Sequence, residues 1–373
     1  MFGDKIKSLL KSATDIAKQK AVEIAKGVAD SSLLSTGAVY AAKALGGPVV
    51  GGLAIAAKAG YDYALKGSDY KSDDPYLTQD LKSAAIINCK GDVRAEKWRR
   101  RKVREQLIAQ GKSSGDPKKK EAAERLERDM VAVERARLSS HVYDINDPKK
   151  QPPPEPPVGF LEPSPEELSK LGLTKDALSP KGSDFRAQVY KVDPEVNEVP
   201  PEYIVAYRGT VTGNDWKENA KQGIGMESDS YNRAMNIASK MRKATKKLGQ
   251  SFETTGHSLG GGLASSAAVV TGARATTFNS AGLHDNTTAS YGNPLDREAA
   301  KKTVNAYRIE GAEKTEILTS VQKLPLVPDA IGEPRSVRPP DEGASRLSLH
   351  GMDTMIDGIE QQKIQDQATL NPN

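Results

Sequence analysis

The chain has 373 residues, a formal net charge of +5, one cysteine and four histidines. That length accommodates one large core with an appendage, or two domains. The single Cys89 excludes an intramolecular disulfide and any metal site built on several cysteines. Histidine chemistry must choose among His141, His257, His284 and His350.

At the front, Phe2, Ile6, Leu9, Leu10, Ala13, Ile16, Ala17, Ile24 and Val28 recur at helical spacing with six lysines among them, the pattern of a basic amphipathic helix. No clean apolar region ahead of a cleavage site is visible, so no secretory signal is expected. The following Ala/Gly/Val-rich run is most apolar from Ala44 to Ala57. Gly46-Gly47-Pro48 interrupts it, and it is too short for a membrane-spanning helix. Residues 1–66 therefore read as a helical hairpin packed on the body or on a partner, with membrane association as the sharper alternative.

Between Cys89 and Lys120, twelve Lys/Arg stand against four Asp/Glu. Trp98 gives no aromatic interleaving and no recognition motif surrounds it, so nucleic acid is not an expected partner. A solvated helix face is expected, ahead of attraction to anionic lipid or a carrier protein. Lys118 to Tyr143 continues with helical periodicity, and Pro152-Pro153-Pro154-Glu155-Pro156-Pro157 makes a stiff extended connector.

Beyond the prolines, strands are expected at 185–190, 203–207, 251–255, 275–279 and 304–309, with a helix at 229–248. Strands separated by helices imply an α/β fold with a mostly parallel sheet covered by helices. Within it, Gly256-His257-Ser258-Leu259-Gly260 fits G-x-S-x-G, the strained strand-to-helix turn that exposes a serine hydroxyl in α/β-hydrolases. A small-residue helix over 263–270, closed by Gly272, suits the packing behind such a turn.

A serine hydroxyl needs a base, and the base needs an orienting acid, in the chain order Ser, Asp/Glu, His. His350 is the expected base. His284 comes too early and reads as a structural hydrogen-bonder. Glu310, Glu313, Glu316, Asp329 and Asp341 all qualify as the acid by position; Glu316 is preferred and Asp329 is the alternative. The oxyanion donors expected are the N–H of Leu259, directly after the nucleophile, and of Thr210, at the end of Tyr207-Arg208-Gly209-Thr210. Arg208 is expected to form a salt bridge that supports this loop. No cofactor or metal is needed for the chemistry.

These residues resemble the class 3 lipase family. Its R-G-T strand end with a following Asp-Trp is similar to Arg208-Gly209-Thr210 with Asp215-Trp216. Its G-H-S-L-G-G elbow is similar to Gly256–Gly261, its acid ahead of Leu-Pro to Glu316 with Leu324-Pro325, and its His-Gly/Ser-Met to His350-Gly351-Met352. The family usually has aspartate where Glu316 stands.

The resemblance covers residues 125 to 360 and implies a serine esterase on carboxylic esters of lipids, with a mobile lid within Val211–Ser230. It divides the chain into an N-terminal helical region, 1–120, and a lipase-like α/β-hydrolase domain, 121–373, with a Pro-rich segment at 147–165. The basic, membrane-like front also resembles that of bacterial type VI secretion effectors. This implies a phospholipase of the A type made in the cytoplasm and delivered into a rival cell. Its partners would be a lipid substrate, a membrane surface, and a secretion carrier, chaperone or immunity protein. The rivals are a neutral lipase or short-chain esterase, and a membrane-disrupting protein acting through residues 1–66.

Overall fold

The computed structural model describes residues 93–197, 201–210, 216–311, 316–322, 328–341 and 343–371. The hairpin expected over 1–66, Val211–Asp215, Glu313 and the Leu324-Pro325 pair lie outside them.

Two long helices lead, α1 (Val93–Ser113) and α2 (Pro117–Asp144). Asp116 starts α2 by accepting the Lys118 N–H at 2.9 Å, with Pro117 in the first turn. Both devices suit a helix N-terminus, where amide donors lack helical partners. The solvated face expected for the charged run is corrected here. Lys97, Arg100 and Arg104 are 2%, 1% and 3% exposed. Lys97 Nζ meets the Glu134 carboxylate at 2.5 Å and donates to the Val158 carbonyl at 2.6 Å. Arg104 Nε donates to Gln367 Oε1 at 2.9 Å. A cation stays buried only where acceptors await it, and these acceptors come from segments remote in sequence.

Among the described residues the sheet has seven strands in the spatial order of the chain: β1 (Phe160–Leu161), β2 (Ala187–Val192), β3 (Tyr203–Tyr207), β4 (Phe252–His257), β5 (Arg274–Phe278), β6 (Val304–Ile309) and β7 (Glu333–Val337). β1, β2 and β3 pair antiparallel, and β3 through β7 pair parallel. Short helices α3 (Pro165–Lys170) and α4 (Lys175–Leu178) precede β2. The parallel strands are linked through α5 (Trp216–Leu248), α6 (Leu259–Thr271), α7 (Arg297–Ala300) and α8 (Ile317–Gln322). The chain ends with α9 (Arg346–His350) and α10 (Met352–Leu370).

Strand alternation divides the core into two layers. Tyr203, Val205 and Tyr207 of β3 pack with Met235, Ala238 and Met241 of α5 and Leu263, Ala264 and Ala267 of α6. Ile204 and Ala206 face the other way, onto Leu138 and Val142 of α2. On that second face α2 and α10 also cover Phe278, Tyr307 and Ile309.

Several boundaries differ from expectation. The strand expected at 185–190 runs two residues later, and the helix expected from 229 begins at Trp216. Residues 216–230, the described part of the expected lid, are therefore the first turns of α5. Strands β1 and β7 were not anticipated. β7 carries Pro334 and alternates exposed and half-buried residues until Val337, a pattern tolerated only at a sheet edge, where it sits.

Polar side chains of α2 also bond to the strands beneath it. Arg135 Nη2 meets Glu253 Oε2 at 2.7 Å, which accounts for a glutamate inside β4. Ser139 Oγ and Thr255 Oγ1 lie 2.9 Å apart, and Tyr307 Oη donates to Asp129 Oδ1 at 2.9 Å. Asp129 is 2% exposed, and burial, against the Tyr307 hydrogen bond, pushes its pKa up to about 6. A raised folded pKa favours folding while the group is protonated, and that stability is lost as pH rises through 6. Asp129→Asn is therefore expected to stabilise the protein at pH 8 by up to about 3 kcal/mol, with little effect near pH 4. Thermal melts of both proteins at the two pH values check this; equal shifts at both would refute it.

Candidate active site

The turn between β4 and α6 carries Ser258 at φ 59°, ψ −126°. A non-glycine residue there is strained by about 1–3 kcal/mol, and the local packing shows what enforces it. A Cβ at Gly256 would stand 2.2 Å from the Gly260 carbonyl oxygen, and one at Gly260 would stand 2.1 Å from that of Tyr207. Only bare glycines let α6 start this close behind the strand ends. The Ser258 N–H donates to the Phe278 carbonyl at 3.0 Å, and the Ser258 carbonyl accepts from Gly261 and Ala281, both at 2.9 Å. The hydroxyl is thus presented at the C-terminal edge of the parallel strands, where open α/β sheets bind ligands.

From the other side, α9 ends at His350, which is 7% exposed. Glu316, at the head of α8 and wholly buried, accepts a hydrogen bond from His350 Nδ1 at 2.7 Å. Burial would raise the Glu316 pKa, but the hydrogen bond and charge of His350, joined by Thr319, outweigh it and hold the carboxyl below its usual value. The carboxylate also accepts the Leu318 N–H at 2.8 Å and that of Thr319. Asp329 is exposed, and its carbonyl, not its carboxylate, takes the Leu283 N–H. The structure therefore brings Glu316, not Asp329, to the imidazole. His284 is exposed and bonds locally to the Asn286 N–H at 3.2 Å.

Ser258 and His350 are tied through His257, whose ring centroid lies 4.7 Å from that of His350. Among the described residues no hydrogen bond joins the Ser258 hydroxyl to His350. Catalytic hydrogen bonds often tighten only once substrate is bound.

Residues 134–370 match the model of the Tle-like phospholipase domain. A relative from Serratia liquefaciens described as an extracellular phospholipase A1 is 34% identical over 242 residues, spanning 61% of this chain and 70% of its own. The chain belongs to the Tle-like phospholipase family. It is a lipid-ester hydrolase, in keeping with the expectation drawn from the elbow and the R-G-T strand end.

Three residues that hold this phospholipase site together were not singled out from sequence. His257 is buried; burial first, then the charge of His350, pushes its pKa down to about 3, so the ring is neutral. Its Nε2 lies 2.8 Å from the His350 carbonyl, which only accepts, so Nε2 carries the proton. Nδ1 is then the acceptor for Tyr143 Oη at 3.1 Å. That phenol in turn accepts the Gly209 N–H at 3.0 Å. One chain of hydrogen bonds thus connects the R-G-T loop, the elbow and the backbone of His350. Asn279, at φ 41° just beyond β5, adds a second clamp. Its Nδ2 donates to the Leu349 and His350 carbonyls at 3.2 and 3.0 Å, and its Oδ1 accepts from Ile309 at 3.0 Å. An asparagine at the end of a strand, able to adopt positive φ, was the available signal.

Gly209 lies inside this chain of bonds. A Cβ there would stand 2.3 Å from Tyr143 Oη and 2.6 Å from the His257 carbonyl. Gly209→Ala is expected to displace the loop and lower kcat at least 10-fold, with a smaller change in KM, if the loop supplies an oxyanion donor. Steady-state kinetics on phospholipid micelles test this; unchanged kcat would show that the loop has slack.

Among the described residues no carboxylate forms the salt bridge expected of Arg208. Its Nη2 donates to the Asp184 carbonyl at 2.9 Å, and its Nε is buried without a hydrogen-bond partner. Thr210 is exposed at the end of the described R-G-T segment, and Leu259 is the first residue of α6. Among the described residues no cluster of His, Cys, Asp and Glu could hold a metal ion. No helix among them is long and apolar enough to cross a membrane.

Proposed function

We propose that this phospholipase cleaves its lipid by acyl transfer to Ser258. The observation that carries the reading is the buried His350–Glu316 hydrogen bond of 2.7 Å beside the strained elbow. His350 takes the serine proton as the hydroxyl attacks the ester carbonyl, then gives it to the departing lysophospholipid alcohol. Water repeats the sequence on the acyl-enzyme and releases fatty acid. Glu316 holds the proton on Nδ1 and stabilises the imidazolium as it forms. The developing oxyanion sits between the N–H of Leu259, at the positive end of α6, and that of Thr210. The Gly209 N–H is already committed to Tyr143, which leaves the next amide of the loop for this work.

The likeness to an extracellular phospholipase A1 supports cleavage at the sn-1 ester. The family supports delivery as a type VI effector. In this reading residues 1–120 contact a membrane or carrier, residues 121–373 perform the hydrolysis, and an immunity protein guards the producer. Mass spectrometry of products from phosphatidylglycerol bearing different sn-1 and sn-2 chains tests the site of cleavage. Loss of the sn-1 chain is expected; release of the sn-2 chain alone would sink this assignment.

A further inference from the structure

Once the ester chemistry is assigned, one charged pair near the elbow has no role. Arg186 stands one residue before β2 and Arg208 one residue after β3. Ala187 faces Tyr207 across those strands, and Tyr207 faces Gly256 across the next. Both arginines therefore lie at the sheet edge that carries Ser258. With neighbouring strands ~4.8 Å apart, the Arg186 backbone is about 10 Å from the elbow. Arg208 is closer: a Cβ on the next residue, Gly209, would be 3.3 Å from that of Ser258.

The two guanidiniums turn to the same short segment. Arg186 Nη1 donates to the carbonyls of Phe185, at 2.7 Å, and Ser183, while Arg208 reaches that of Asp184. These bonds spend only part of the donor fork each side chain carries. Neither arginine forms an ion pair with any described carboxylate, whereas Arg94, Arg125, Arg135 and Arg137 each have one. Burial, and next the charge of Arg186, lower the Arg208 pKa, with the Asp184 carboxylate the smallest influence. Two neighbouring guanidiniums that no described carboxylate pairs with suit an anion that joins them, and a tetrahedral oxyanion suits the fork.

We infer that Arg186 and Arg208 bind the phosphodiester of the lipid while its ester lies at Ser258, and so set the preference for phospholipid over neutral glyceride. The inference rests on the phospholipase reading. In such a lipid the short glycerol link keeps the phosphate near the ester, so its site must lie close to the elbow, as the strand ends bearing Arg186 and Arg208 do. The unspent terminal Nη donors of Arg186 and Arg208 are the groups that take the phosphate oxygens.

The test compares dipalmitoylphosphatidylglycerol with dipalmitoylglycerol in the same detergent micelles. The ratio of kcat/KM, phospholipid over glyceride, is expected to fall about 10-fold in Arg186→Gln and further in the Arg186→Gln/Arg208→Gln double variant, mainly through KM. Arg186→Lys keeps the charge but loses the fork, and serves if the glutamine variant fails to fold; its ratio should fall between. An unchanged ratio, or equal losses on both lipids, would overturn the inference. Wild-type turnover of the glyceride with none of the phospholipid would sink the underlying reading, and the arginine site with it, before any variant is compared.

Discussion

Ser258→Ala is expected to lower kcat on phospholipid vesicles by about a million-fold while leaving the melting temperature nearly unchanged. In the proposed mechanism the Ser258 hydroxyl oxygen forms the acyl bond, so nothing else in the site can replace it. The fold should survive because alanine inherits the same φ of 59° and the same bonds from the Ser258 N–H and carbonyl. Residual rate over water would come from the oxyanion donors alone. Fatty acid release followed by mass spectrometry, beside a thermal melt, checks both halves. Cleavage persisting in a folded variant would require another nucleophile. If the protein is toxic to cells, toxicity that outlives the substitution would favour damage by residues 1–66.

Glu316→Gln is the second large effect, an expected loss of about 10³–10⁴ in kcat with little change in KM. The neutral amide can neither stabilise the imidazolium nor enforce the Nδ1–H tautomer. Glu316→Asp should lose less, because it keeps the charge but ends one methylene short of Nδ1. The same residue has a signature in stability. Its folded pKa lies below the ordinary 4.5, so its contribution is present above that value and lost as pH falls below it. Wild type should therefore lose stability on acidification below about pH 4.5 more steeply than the glutamine variant. Parallel acid melts would show the difference; superimposed curves would count against an ionised carboxylate at this position.

Much of the site was legible before any coordinates. The elbow is encoded by five consecutive residues, because the strain at Ser258 has to be met locally by Gly256 and Gly260. β3 and β6 lie at the expected residues, since their β-branched and aromatic content has few other uses. Glu316 was harder. Five carboxylates qualified by position, and only packing separates the wholly buried Glu316 from the exposed Asp329. Tyr143 lies far before the elbow in sequence, and nothing local to a helical tyrosine announces a bond to the Gly209 amide. Lys97, Arg100 and Arg104 were misjudged for the same reason, since a charge run looks alike whether water or a neighbouring helix receives it.

What the amino-acid order determined by itself was everything held in short-range patterns. These are the alternation of strands and helices, the turn that carries Ser258, and the residue types able to perform acyl transfer. Tertiary structure decided which acid meets His350, how Tyr143, His257 and Asn279 hold the loops around it, and that Arg186 and Arg208 stand together with no ion pair to a described carboxylate. Those facts depend on distances between residues remote along the chain. Such distances are set by the register of the sheet and by the packing of α2 and α10 across it.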